Sequence, residues 1–523
     1  LGKILKQAYL IIFFILLVNY VFAEDIRVGT VGEIYESVSR LKPGDRLLLK
    51  NGRYNDLKLV VTVSGNEIKP IIIAAENTGK VFFTGNVSVE MRGEHLVLKG
   101  IYFKDGARDV TQWRSHGPGL VAIYGSYNRV TECLFNDFDK ANSAYITTSL
   151  TDDESVPLHC RIDHCSFVNK LTFDQVINLN NTFKKDTVNV GPPMYHRIDH
   201  CFFSNPKKEG NAGGGIRIGY FRNDVGRCLV DSNVFERQDS EPEIITGKSQ
   251  ENIYYANTFL NCRGTLNFRH GDKQAAVNNF FISNDTLFEY GGMFIWGSSH
   301  LIANNYFNLS KTIRSRGHAA IYLNPGAPAS EHVMAFDIDI INNIFENING
   351  YAIHFSPMLA NRVQNFPHLK VPQMVPHDIR LVNNCFYADK PSGFKFFRDD
   401  CPTIEKKINW ANNSYYGLET GLAINNGLRK GQRHRHLLSF QKISDVSKCI
   451  ALKNETHFAY RNFDGIDFDF NCKLSGGING KPLRATDILP PWMIPELGTY
   501  HKTGKLTKLQ QKRLREINHR SKP

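Results

Sequence analysis

The chain has 523 residues, 42% of them hydrophobic and 22% charged, with 63 Lys and Arg against 51 Asp and Glu for a formal net charge of +12 at pH 7. That hydrophobic share excludes a wholly disordered chain, and the positive balance suits an anionic partner. For an exported protein such a partner is an acidic polysaccharide sooner than a nucleic acid, and no nucleic-acid partner is expected.

Export is what the N-terminus predicts. Lys3 and Lys6 precede the apolar run Leu10 to Val18, and Val21-Phe22-Ala23 supplies the small residue a signal peptidase reads. The run is roughly nine residues, short of the roughly 20 that span a bilayer. Residues 1–23 are therefore read as a signal peptide, leaving a secreted or periplasmic chain with no membrane span.

After it comes an internal repeat, short segments in which an aromatic follows Cys or Asn by two residues. The Cys or Asn positions are Cys133, Cys165, Cys201, Asn233, Asn257, Asn279, Asn305, Asn343, Asn384 and Asn413, and LVLKGIYF ending at Phe103 reads as a first, atypical rung. Rungs recur every 22 to 41 residues, their strands are short and rich in β-branched and aromatic residues, and almost no helical pattern intervenes. The combination predicts an all-β parallel β-helix over residues 24–425, with the Asn series stacked as an internal hydrogen-bonded ladder. The three cysteines of that column then read as buried thiols, although ten cysteines in an exported chain first suggest disulfides.

The solenoid opens near Ile26, where SVSRLKPGDRLLLKNGRY reads as a cap and first coil. Residues 426–523 read as a C-terminal extension packing on the β-helix. It holds a basic stretch, GLRKGQRHRH, and ends in a basic amphipathic helix, KLTKLQQKRLREINHR, read as a short helical cap. The protein is expected to be a monomer.

Chemistry is suggested in register with the ladder. Ten residues after Cys201, Asn233 and Asn257 stand Asn211, Glu243 and Asn267, while Glu241 and Arg269 keep the same parity and Lys248 follows on the Glu243 coil. Two carboxylates and an amide oxygen are donors that calcium accepts. A surface Glu-Lys-Arg ion-pair network fits the spacing equally well.

The segments SHGPGLVAIYGSYNR, DQVINLNN, GNAGGGIRIGY, EIITGKSQENIYY, NFRHGD, SRGHAAIYLNPGAPASEH and GKPLRATDILPPW carry a resemblance over essentially the whole mature chain. The sequence resembles the chondroitinase B family, within polysaccharide lyase family 6, which also contains alginate lyases. The resemblance implies a right-handed parallel β-helix and calcium-assisted β-elimination of dermatan sulfate, or of alginate as the alternative. It implies calcium ligands at Asn211, Glu241 and Glu243, a base at Lys248 and a catalytic arginine at Arg269. It further implies substrate contacts at His116, Lys184, Tyr220, His270, Arg316, Glu331 and Arg362. Two positions depart from the pattern: Asn361 precedes a single arginine where a pair is expected, and Phe183-Lys184-Lys185 replaces an arginine. Two other classes stay open on the residues. One is a β-helix glycoside hydrolase using Asp152-Asp153 or Asp399-Asp400, and the other is a non-catalytic carbohydrate-binding solenoid.

Overall fold

The structure, a computed structural model, describes residues 23–106, 117–139, 143–150, 155–181, 191–208, 213–326, 332–356, 375–388, 393–400, 406–418, 428–430 and 482–520. Short strands wind through three long sheets of 14, 14 and 12 strands, each pairing in parallel with its counterpart one coil away. This is a right-handed parallel β-helix. One coil illustrates the order: Leu229–Asp231 in the first sheet, Val234–Glu236 in the second, Glu243–Gly247 in the third.

The predicted ladder lies at the turn between the first two sheets. The residue before each rung, from Glu132 to Asn412, adopts a left-handed φ of 50° to 59°, which turns the chain sharply. The amide that follows uses its whole hydrogen-bonding capacity. Asn279 Oδ1 accepts from Asn257 N and Asn257 Nδ2, each at 3.0 Å, and Asn279 Nδ2 donates to Asn305 Oδ1 at 3.0 Å and Tyr254 O at 2.9 Å. The same pattern continues through Asn305, Asn343 and Asn384 to Asn413. In the earlier coils sulfur stands in as the acceptor: Cys133 N points at Cys165 Sγ at 3.4 Å. Cys133, Cys165 and Cys201 are buried free thiols, as expected.

Two residues on, phenylalanines from Phe103 to Phe386 point inward and stack with centroids 4.4 to 5.0 Å apart. Five residues before the first ladder runs a second, shorter column that sequence reading missed. In it Asn128, His196, Asn252 and His300 each accept a backbone N–H from the preceding coil. Its residue types vary, so it leaves no repeated letter in the sequence.

The N-terminal end is sealed by the helix Val31–Val38, started by a capping box between Thr30 and Glu33 and turning Ile34 and Val38 onto the first coil. At the other end of the chain, Leu483, Ile488, Leu489, Met493 and Leu497 lie on the outer face of the second sheet against Tyr102, Leu134, Val168, Phe202 and Val234. The helix Lys508–Arg520 is tied to this flank where Arg513 pairs with Asp137 and Asp139. Among the described residues no helix is long and apolar enough to cross a membrane. Of residues 1–23, read from the sequence as a signal peptide, all but Ala23 lie outside the described residues.

Asn279→Leu preserves bulk while removing the acceptor of Asn257 N and of one Asn257 Nδ2 hydrogen and the Asn279 donor to the Tyr254 carbonyl, leaving Asn305 Oδ1 with the Asn279 backbone N–H alone. Each buried unsatisfied group costs about 1–3 kcal/mol, so calorimetry should show a clearly lowered melting temperature. An unchanged melt would contradict the role given to the ladder.

Candidate active site

Strands of the third sheet are three to five residues long across the central coils, and their pleat sends alternate side chains into the core or out onto one long face. In Ile216–Ile218 the two isoleucines point in and Arg217 points out. Register carries the Arg217 row through Thr246, Asn267, Phe294, Tyr322 and His354. Lys248 and Arg269 each follow the last paired residue of their strands, Gly247 and Phe268, and so stand side by side on adjacent coils.

The expected alignment of Glu243 with Asn267 does not hold. A bulge at Ile244 shifts the register, so that Glu243 pairs with Thr265 and Asn267 with Thr246. The extra residue swings Glu243 toward the next coil, where Arg269 Nη1 lies 2.6 Å from both of its oxygens and Thr246 Oγ1 donates to Oε2 at 3.0 Å. Gly214 makes this possible, since a Cβ there would overlap the Glu243 carbonyl oxygen. Arg269 also donates from Nε to His332 Nε2 at 3.2 Å.

Burial and charge set the ionisation of the cluster. Lys248 is pushed down to about 8, first by burial and then by the cations Arg217 and Arg269. Its Nζ lies 4.7 Å from the Tyr220 ring centroid, and Arg217 approaches the same ring at 5.4 Å. Glu241 is pushed up to about 7 by burial and then by the like charge of Glu243. Burial would raise Glu243 too, but Arg269 outweighs it and holds that carboxyl below its ordinary value. His270 is driven down to about 2 by burial, with His332, Lys248 and Arg269 adding to the effect, and is therefore neutral.

Of the residues singled out from sequence, Tyr220, Glu241, Glu243, Lys248, Arg269, His270 and Arg316 converge on this face. Arg316 closes the short 3-10 helix Arg314–Arg316 and lies 4.0 Å over Phe294, with its charge felt at Glu243. Asn211, His116, Lys184, Glu331 and Arg362 lie outside the described residues. Sequence reading missed Arg217, His332 and the aromatic group Phe294, Trp296 and Tyr322. The isoleucines flanking Arg217 were a usable sign that it faces outward. His332 stands at no fixed spacing from a ladder position and gave no signal. Of the acidic pairs considered for hydrolysis, Asp399 pairs with Lys406 and Asp400 with His354 and Arg398, away from Lys248 and Arg269, and Asp152-Asp153 lies outside the described residues.

Among the described residues no group of three or more His, Cys, Asp or Glu side chains is placed to hold a metal ion. Two carboxylates do meet, and their mutual repulsion is the condition a hard divalent cation relieves. Glu241 and Glu243 thus fit part of an oxygen-donor set for calcium. Arg269 would share Glu243 with such an ion.

The Chondroitinase B family profile matches residues 28–469. No curated protein matches the chain. Among solved structures, the PL6-family alginate lyase AlyGC is 26% identical with a TM-score of 0.63, over 78% of this chain and 54% of that one. This chain thus spans about half of that enzyme's length. A mannuronic-acid-specific family 6 lyase from human gut microbiota is 22% identical, with a TM-score of 0.63 over 80% of this chain and 93% of that one. The PL6 lyase from Pseudopedobacter saltans is 19% identical, with a TM-score of 0.58 over 75% and 92%. These last two show the shared fold. With the profile spanning most of its length, the chain belongs to the chondroitinase B family of polysaccharide lyases.

Proposed function

We propose that this protein cleaves a uronic-acid-containing acidic polysaccharide by β-elimination, with Lys248 as the base and Arg269 as the electrostatic partner of the uronate. The observation that carries the reading is the pairing, on adjacent coils, of a lysine held down to about 8 with an arginine fixed by Glu243. Neutral Lys248 Nζ takes the proton from C5. The C5–H electron pair becomes the C4=C5 double bond, the C4–O4 bond breaks, and O4 leaves to be protonated by water. The guanidinium of Arg269 stays charged, so it stabilises the developing carboxylate charge without donating a proton.

Glu241 and Glu243, with Asn211, are the residues that would hold calcium, which when bound supplies a Lewis acid for the uronate carboxylate. Arg217 and Arg316 add positive charge to the face and suit a polyanion. Dermatan sulfate is the first substrate, a reading supported by the family profile. Alginate is the second, favoured by the structural neighbour AlyGC, whose name states that activity. The N-terminal pattern of Lys3, Lys6 and Leu10 to Val18 supports a secreted or periplasmic location, and we read the enzyme as a monomer.

Dermatan sulfate digested by the purified protein should gain ultraviolet absorbance from 4,5-unsaturated ends, with little or none from alginate. Activity on alginate alone would reverse the substrate order, and new reducing ends without absorbance would sink elimination. Lys248→Ala should lower kcat by roughly 10²- to 10⁴-fold, the usual worth of a positioned base.

Because the base works as the neutral amine, kcat/KM should rise with pH and level off above about 8. Arg217→Gln removes a cation that holds the amine down, so its rising limb should move to higher pH; an unmoved limb would contradict the pairing. Exhaustive chelation should abolish turnover and lower the melting temperature, with calcium restoring both. Full activity after chelation would remove the metal from the account.

A further inference from the structure

The Arg269 guanidinium has three nitrogens, and the structure gives two of them fixed partners. Nη1 faces the Glu243 carboxylate, and Nε donates to His332 Nε2 at 3.2 Å. Among the described residues no hydrogen bond is recorded for Nη2, so it is the nitrogen left for a ligand in the cleft. For His332 to accept through Nε2 in its neutral form, the proton must sit on Nδ1.

His332 is itself held from several sides. Its ring meets His270 edge to face at 4.8 Å and lies 4.9 Å from Trp296. The backbone beside it is tied to the solenoid, since Gly297 N donates to Val333 O at 2.9 Å and Ala335 N donates to Asn324 O at 2.9 Å. His332 therefore offers Arg269 an acceptor on a supported backbone and between two rings. The Glu243 contact differs in kind, because a cation bound at Glu241 and Glu243 would draw on the same oxygens that hold Nη1.

We infer that His332 is a positioning residue for the elimination: it fixes the Arg269 guanidinium through Nε so that Nη2 meets the substrate, and it keeps that aim when Glu243 is shared with a cation. The inference rests on the functional reading above. It assigns His332 no contact with the reacting atoms.

The test compares four variants, the last a double one, for kcat, KM and melting temperature on the cleaved polysaccharide with calcium present. His332→Phe keeps the ring contacts and removes the acceptor, and should lower kcat by roughly 10- to 100-fold at nearly unchanged KM, the scale of a misaimed catalytic group. His332→Gln retains an acceptor and should recover part of that loss. Arg269→Lys, which lacks the Nε donor, should make the further change His332→Phe nearly silent. A His332→Phe enzyme with the parent kcat overturns the inference, as does an equal loss in the Arg269→Lys background. If His332→Phe fails to fold, a Gln variant no better than His332→Ala has the same force. An Arg269→Ala enzyme of undiminished rate would instead sink the functional reading itself, which keeps the two failures apart.

Discussion

The asparagine column is the constraint on which the rest of the molecule depends. From Asn257 to Asn384 each amide accepts twice from the coil behind, donates once to the coil ahead and once to a backbone carbonyl, leaving no spare capacity and no freedom to slip. A one-residue slip in any coil would orphan two rungs and turn its inward phenylalanine toward solvent. Register fixed at that turn is inherited by the third sheet, where coils about 4.8 Å apart set Lys248 beside Arg269. The placement of Lys248 beside Arg269 is thus a consequence of a hydrogen-bond ladder on a different edge of the same coils.

On that frame the site is built from opposed ionisations. Burial disfavours every charge on the face, and neighbours then decide which groups keep theirs. Lys248, flanked by Arg217 and Arg269, is moved toward neutrality, and Glu241, beside Glu243, is moved toward protonation. Glu243 keeps its charge because Arg269 meets it directly. The proposed base, which must be neutral, and the carboxylate pair proposed to hold a cation therefore come from one arrangement of like charges. Groups pushed in opposite directions within one cleft are what acid–base chemistry near neutral pH requires.

The fold was legible because stacking imposes the same residue type at the same position in coil after coil. Asn233 to Asn413 and their paired aromatics could be aligned despite loops that vary from 22 to 41 residues per coil. The second column, with Asn128, His196 and His300 doing equivalent work, escaped because different side chains satisfy the same backbone donor. At the site, counting from the ladder brought Glu243 and Arg269 to one face yet misaligned Glu243 with Asn267. A bulge at Ile244 adds a residue that no spacing rule contains. Arg217 and His332 could not be reached by counting, since the distance from rung to site differs in every coil. The assignment of roles to Lys248 and Arg269 came from family resemblance, and the geometry supplies the physical reason those residue types suit them.

The central claim is that the bond to O4 is broken by elimination and not by water. Mass spectrometry of the fragments released from dermatan sulfate or alginate tests it most directly. Every new non-reducing-end fragment should be one water lighter than its hydrolytic counterpart, with Lys248→Ala abolishing its formation. Fragments carrying the full added water would contradict the account.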